Sequence, residues 1–224
     1  MMDSDGFQLV KSKRNRPNNS KRTNLLKPSS LETSCHKTAC IEDVQDLHKK
    51  ITDCKSQLKL YDRMFYWSKV QLAAHKLFNS YFEFPSTPNS SNSVIHIICY
   101  GLGSVEENLS SRYQLALLLL LIEEVQLFNE NKLNSKLELG LIEFYDPVFN
   151  SVDKQLLVDT YGFKISLQND QCFRLAENTD SDNKVMTLFY MPHCGKAMYN
   201  NLLFTNWSMK QLKSLVILGN LIYY

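Results

Sequence analysis

Apolar residues recur at alternating three- and four-residue spacings through Val44, Leu47, Ile51, Cys54, Leu58, Tyr61 and Phe65, which lines them along one side of a helix. Residues 41–82 therefore read as helical. The stretch lacks the branched aliphatics of a coiled-coil seam and turns aromatic at Phe65, Tyr66, Trp67, Phe78, Tyr81 and Phe82, so it is expected to pack on the chain's own sheet. Pro85, Pro88 and the Ser/Asn run up to Ser93 end it, because they support neither helix nor strand. Beyond this loop the pattern changes. Residues 94–100 form a short, nearly all-apolar run of β-formers ending at Gly101, as expected for a parallel strand covered on both faces. A helix over 110–128, a strand over 139–145 closed by Asp146-Pro147, and a helix over 151–160 follow. Strands over 163–167, 185–191 and 215–218 complete the series, with a helix over 197–204 between the last two. Alternating strands and helices predict an α/β fold, a Rossmann-like doubly wound, mostly parallel sheet with helices on both faces.

Composition adds an asymmetry. The net charge of +2 over 224 residues is too small to imply a nucleic-acid or membrane partner for the whole chain. Residues 1–37, however, hold eight Lys/Arg against Asp3, Asp5 and Glu32, and the rest of the chain is net acidic. The organisation expected is a disordered basic tail over 1–38, an amphipathic helical segment over 39–84 and an α/β domain over 94–220. Lys11, Lys13, Arg14 and Arg16 make the tail the one segment suited to nucleic acid or nuclear import. The apolar run over 115–122 is too short to span a bilayer and the first residues lack a secretory apolar region, so a cytoplasmic chain is expected, with the tail admitting a nuclear location. Six dispersed cysteines without a C-x-x-C pair signal neither a disulfide framework nor a zinc site, and no metal is expected.

Candidate chemistry lies beyond the strand ends. With strand order 3-2-1-4-5, the loop after strand one, with Gly101, Gly103 and Ser104, faces the loop after strand four, with His193, Cys194 and Lys196, at the point where strand order reverses. Asp146 would sit beside the first loop, and Asn200 beside the second. Gly101-x-Gly103 invites a nucleotide-derived ligand, but Glu106 stands where a third glycine belongs and would repel a pyrophosphate. A tight structural turn is the competing reading. His193 and Cys194 are adjacent, so a direct dyad between them is sterically awkward. Pairing Cys194 with His96 requires their strands to adjoin, and a buried structural thiol is the plainer alternative. Lys196, Asn200 and Asn201 either contact a ligand or cap the following helix.

Several stretches resemble the sensitivity-to-red-light-reduced (SRR-like) family. They are Cys99-Tyr100-Gly101-Leu102-Gly103, Ser111-Arg112-Tyr113-Gln114-Leu115-Ala116 and Tyr145-Asp146-Pro147-Val148-Phe149. Phe189-Tyr190-Met191-Pro192-His193-Cys194-Gly195 with Tyr199-Asn200-Asn201-Leu202-Leu203, and Asn206-Trp207-Ser208 leading to Gly219-Asn220, agree with it in the same order. The resemblance covers about residues 60–220. It implies a regulatory protein in circadian-clock input and in regulation of haem biosynthesis, and brings no established catalytic residues or cofactor. Two further readings stand beside it. One is an enzyme using a nucleotide-like cofactor or substrate at the Gly101-Gly103 loop; the other is haem binding by His193 or Cys194, poorly supported because Cys-Pro pairs are absent. The unknown partner is thus a regulatory protein or a small nucleotide-like ligand. Family members continue past the Gly-Asn, whereas this sequence stops at Leu221-Ile222-Tyr223-Tyr224, so a shortened or alternatively spliced form is expected.

Overall fold

The computed structural model describes residues 41–60, 66–82, 93–130, 137–177 and 184–219. The basic tail, the loop over 85–92 and the C-terminal apolar residues lie outside them. Five strands form one parallel sheet: β1 (Ser93–Tyr100), β2 (Leu137–Tyr145), β3 (Lys164–Ile165), β4 (Lys184–Met191) and β5 (Leu215–Gly219), in the order β3-β2-β1-β4-β5. This is the expected order, with β1 at the centre, where its apolar run is covered on both faces. Register places Ile97 beside Leu188 and Cys99 beside both Tyr190 and Phe144.

Side-chain alternation divides the core in two. Ile95, Ile97, Met186 and Leu188 point to a face covered by helices, whereas Ile98, Tyr100, Phe189 and Met191 point to the opposite face, under Tyr199 and Leu202. The first cover includes α3 (Leu109–Glu130), whose residues 115–122 are buried throughout, and α4 (Ser151–Gln155), continued by a π-helical turn (Leu156–Thr160). The second is provided by α5 (Lys196–Thr205); α6 (Met209–Leu212), a short helix the pattern did not predict, precedes β5. The helical stretch over 41–82 is described as α1 (Ile41–Leu60) and α2 (Tyr66–Phe82), with Tyr61 and Phe65 outside the described residues. The stripe Val44, Leu47, Ile51 and Cys54 is buried, but α1 forms an outer layer that packs principally on α3 rather than directly on the sheet. Neighbouring carboxylates on α3 receive the two helices separately. Glu123 pairs with Lys55 and Lys59 of α1, and the buried Glu124 takes Gln71 and His75 of α2, each at 2.8 Å.

The connection from β3 to β4 has no helix among its described residues, and side chains satisfy its backbone instead. Asn206, fully buried at the end of α5, accepts from Ala176 N–H and donates to the carbonyls of Arg174 and Leu202. The Tyr100 hydroxyl donates to Asp170 Oδ2 at 2.7 Å, and Arg174 pairs with the buried Glu143 at 2.8 Å.

The loop after β1 is fixed from the side by α4. Asn150 and Asp153 form a reciprocal capping box at the helix start, and the fully buried Asp153 also accepts from Val105 and Glu106 N–H through Oδ1, at 2.9 and 2.8 Å. Its Oδ2 accepts from Asn150 N–H at 3.2 Å. One carboxylate thus joins the turns that follow β1 and β2.

Asp153→Ala, which leaves these amides without an acceptor, should lower stability by about 3–5 kcal/mol in urea unfolding, against about 1–3 kcal/mol for Asp153→Asn, which keeps one oxygen. A second outcome concerns pH. Burial pushes the Tyr161 phenol, which meets His48 Nδ1 at 3.1 Å, up to about 12 from 10.0. The folded chain therefore holds this proton more tightly than the unfolded chain. The stabilisation is complete below about pH 10 and is lost as pH rises through about 12. Urea midpoints across that range should fall less steeply in Tyr161→Phe than in the wild type.

Candidate functional site

Strand order reverses between β1 and β4, and the loops that leave their carboxyl ends touch. Gly101 has φ +67°, and a Cβ there would lie 3.0 Å from Cys194 Sγ and 3.3 Å from the His193 carbonyl carbon. Gly103, at φ +79°, would place a Cβ 2.7 Å from Ser111 Oγ. Both glycines are therefore required by the turn and by close approach.

The donors of the first loop are turned inward. Gly103 N–H donates to Asp146 Oδ2 at 2.8 Å, Val105 and Glu106 N–H donate to Asp153, and Glu107 N–H donates to Ser104 Oγ at 3.3 Å. Asp146 also accepts from Val148 N–H at 3.0 Å. Arg112, on the first turn of α3, donates to the carbonyls of Val105 and Glu106. A phosphate cradle needs loop amides aimed outward at an anion. Here carboxylates of the chain itself occupy that role, and Glu106 bonds Asn150 Nδ2 at 2.6 Å.

Across the junction, His193 Nε2 meets Gln114 Nε2 at 2.8 Å, and the Tyr190 hydroxyl donates to the Gln114 carbonyl at 3.0 Å. Gln114 and Tyr190 border a cavity of about 160 Å³ whose lining also includes Ser110, Pro192, Leu218 and Gly219. Gln114 Oε1 and, against Gly103, Ser111 Oγ are buried without a hydrogen-bond partner, which leaves α3 with polar atoms at the junction whose bonding is incomplete. A larger cavity, of about 370 Å³, separates α2 from β1, β4 and β5; its lining is apolar apart from Lys69. Apart from Lys69 it carries no acid–base groups.

Cys194 Sγ donates to the Tyr100 carbonyl at 3.4 Å. His96 is far from it along the strand. It pairs in register with Thr187, accepts from Leu141 N–H through Nδ1 at 2.8 Å where β2 carries an extra residue, and meets Glu177 at 3.1 Å. Although β1 and β4 adjoin, Cys194 and His96 do not form a dyad, because one stands beyond the strand end and the other in mid-strand. Burial pushes the Cys99 thiol well up, and burial followed by the Asp170 hydrogen bond pushes the Tyr100 phenol up. Both side chains are thereby kept neutral. Among the described residues no group of three His, Cys, Asp or Glu is placed to hold a metal ion.

The structure thus joins Gly101 to His193 and Cys194, and Gly103 to Asp146, while Ser104 closes the turn. Lys196 opens α5 and is exposed, and Asn200 is half-buried one turn later; the helix starts at Gly195 without a side-chain cap. Asn201, rather than Asn200, reaches the β3–β4 connection, donating to the Gln171 carbonyl at 3.0 Å. Sequence reasoning missed Gln114 and Ser111 as site residues; their signal is polar positions three apart just before the apolar run of α3. It also missed Asp153, whose signal is the Asn150-x-x-Asp153 spacing of a capping box.

Among the described residues no helix is long and apolar enough to cross a membrane. No solved structure matches the chain significantly. The "SRR1-like protein" of Mus musculus is 34% identical over 131 residues, 58% of this chain and 46% of that protein. "Protein SENSITIVITY TO RED LIGHT REDUCED 1" of Arabidopsis thaliana is 28% identical over 177 residues, 75% of this chain and 58% of that protein. The SRR1-like protein of Drosophila melanogaster is 27% identical over 124 residues, covering 55% of this chain and 38% of that one. The chain spans about half the length of the first two relatives. A family model described as the SRR1 domain matches residues 47–223, most of the chain and the whole of the sheet with both of its junction loops, so the chain belongs to the SRR1 domain family.

Proposed function

We propose that this chain is a regulatory protein of light or circadian signalling that works by binding a small polar ligand or a partner group at the β1/β4 junction. The observation that carries the reading is the inward hydrogen bonding of the 103–107 loop. The amides of Gly103, Val105, Glu106 and Glu107 are spent on Asp146, Asp153 and Ser104, so groups that would hold a nucleotide phosphate already hold the chain together. The enzyme alternative loses its phosphate contact by the same bonds. His193 and Cys194 turn to different partners, Gln114 and the Tyr100 carbonyl, which supports neither a nucleophile–base pair nor a free haem ligand. What the junction offers is recognition: a small cavity bordered by Gln114, and the exposed imidazole of His193 bonded to the same side chain. The light-signalling context comes from the name of the plant relative. An output in haem biosynthesis rests on the family resemblance alone, as does a cytoplasmic or nuclear location.

Thermal unfolding of the full chain with nicotinamide, flavin and adenine nucleotides at about 1 mM tests the reading. A nucleotide bound with a Kd of about 10 μM would stabilise the fold by about 2.7 kcal/mol, a rise of roughly 5–10 °C in Tm. The expected result is no such rise. A rise with one nucleotide would replace the regulatory reading with the enzymatic one. In cells that lack the chain, the wild type should restore light-dependent or rhythmic output, and a Gln114→Ala, His193→Ala variant with an unchanged Tm should not.

A further inference from the structure

The larger cavity takes no part in anything assigned above. It lies between α2 and the strands β1, β4 and β5, and its volume of about 370 Å³ falls within the ~300–1,000 Å³ usual for small-molecule pockets. The inward residues Ile95 and Ile97 of β1 and Met186 and Leu188 of β4 make a buried apolar floor. Opposite them α2 presents Ala73 and Ala74, whose short side chains leave the space that longer ones would fill. The helix is fastened to α3 instead. Gln71 and His75 each bond Glu124 at 2.8 Å, and the Phe78 ring meets that of Phe128 edge-on at 5.5 Å. Exposure increases from the floor to a rim. Val70 and Val216 are half-buried, whereas Lys69 and Ala73, one turn apart on α2, are exposed. Lys69 is the one charged residue on the lining, where no carboxylate accompanies it, and none of the ion pairs among the described residues engages it. The result is an apolar slot with a cation at its mouth.

We propose that this cavity binds a fatty acid, an unbranched alkyl chain ending in a carboxylate. The chain lies over Met186 and Leu188 toward Ile95 and Ile97, which removes its methylenes from water and gives the floor residues contacts across the slot. The carboxylate stays at the rim, against the Lys69 ammonium, whose own methylene stem lies along the apolar wall. Charge and shape select this occupant. A neutral apolar molecule would leave Lys69 unused. A phosphate group would find a single lysine and no free amides, because the backbone of β4 is spent on pairing with β1 and β5. The site is independent of the β1/β4 junction, although Leu218 lines both cavities.

Calorimetric titration of the full chain with octanoate, decanoate and dodecanoate, each below its micelle concentration, tests the site. Binding should be equimolar, and affinity should rise about fourfold for each added methylene. With methionine methyl groups labelled, the NMR signal of Met186 should shift on addition of dodecanoate, while that of Met209, exposed on α6, should not. Lys69→Met keeps the apolar stem and removes the charge; it should weaken dodecanoate about two- to fivefold and leave dodecanol binding unchanged. Ala73→Trp, at an exposed rim position, should abolish binding of both, with circular dichroism verifying that each variant is folded. Absence of binding, a Met186 methyl that does not move, or equal dodecanoate affinity in Lys69→Met and the wild type would overturn the proposal. Two other occupants would overturn it as well. Binding that appears only after removal of residues 221–224 would make the chain's own apolar residues the occupant, and a dimer that dodecanoate cannot enter would assign the slot to a second copy.

Discussion

The Asp153 carboxylate is the constraint on which the junction depends. A buried carboxylate is tolerated only when charge-assisted hydrogen bonds replace the lost water, and here amides of two separate turns supply them. The arrangement works in both directions. The carboxylate gains its solvation from the backbone, and the turn after β1 gains the acceptors that allow its amides to leave water. Because the two turns end adjacent strands, this bond network fixes where α3 and α4 begin relative to the sheet. The position of Gln114 and of the cavity beside it follows from that placement.

The same constraint changes what a glycine loop means in this fold. In a doubly wound sheet, glycines at the carboxyl end of the first strand usually clear the way for a phosphate. Here Gly103 clears the way for Ser111 Oγ and Gly101 for Cys194 Sγ, and the amides that would face an anion face carboxylates. What borders the cavity at the junction is Gln114 and Tyr190, with His193 bonded to Gln114.

Much of the architecture was legible from residue patterning. The apolar run at 94–100 marks a strand buried on both faces, and the alternation of elements leads to a parallel sheet; the strand order was a supposition, which the sheet matches, and with it the two loops meet. The stripe at Val44, Leu47 and Ile51 was legible as a buried face, but a stripe does not say what covers it, and α3 rather than the sheet does. The β3–β4 connection was the least legible part. Its form depends on single side-chain bonds from Asn206, Asp170 and Asn201 that have no periodicity, so neither Cys172 nor its left-handed backbone could be foreseen. Asp153 was readable in principle, since its capping spacing is local, whereas its bonds to Val105 and Glu106 join residues distant in sequence.

Amide hydrogen exchange at Val105 and Glu106, followed by NMR in the folded chain, tests the central claim most directly. Amides donated to a buried carboxylate should exchange only on opening of the domain, with protection close to that of the α3 interior. In Asp153→Ala, which removes the acceptor, the two amides should lose most of that protection while the interior of α3 loses only what the lower global stability takes. Exchange of Val105 and Glu106 in the wild type at the rate of an unstructured peptide would contradict the account, because the loop amides would then be free to meet a ligand.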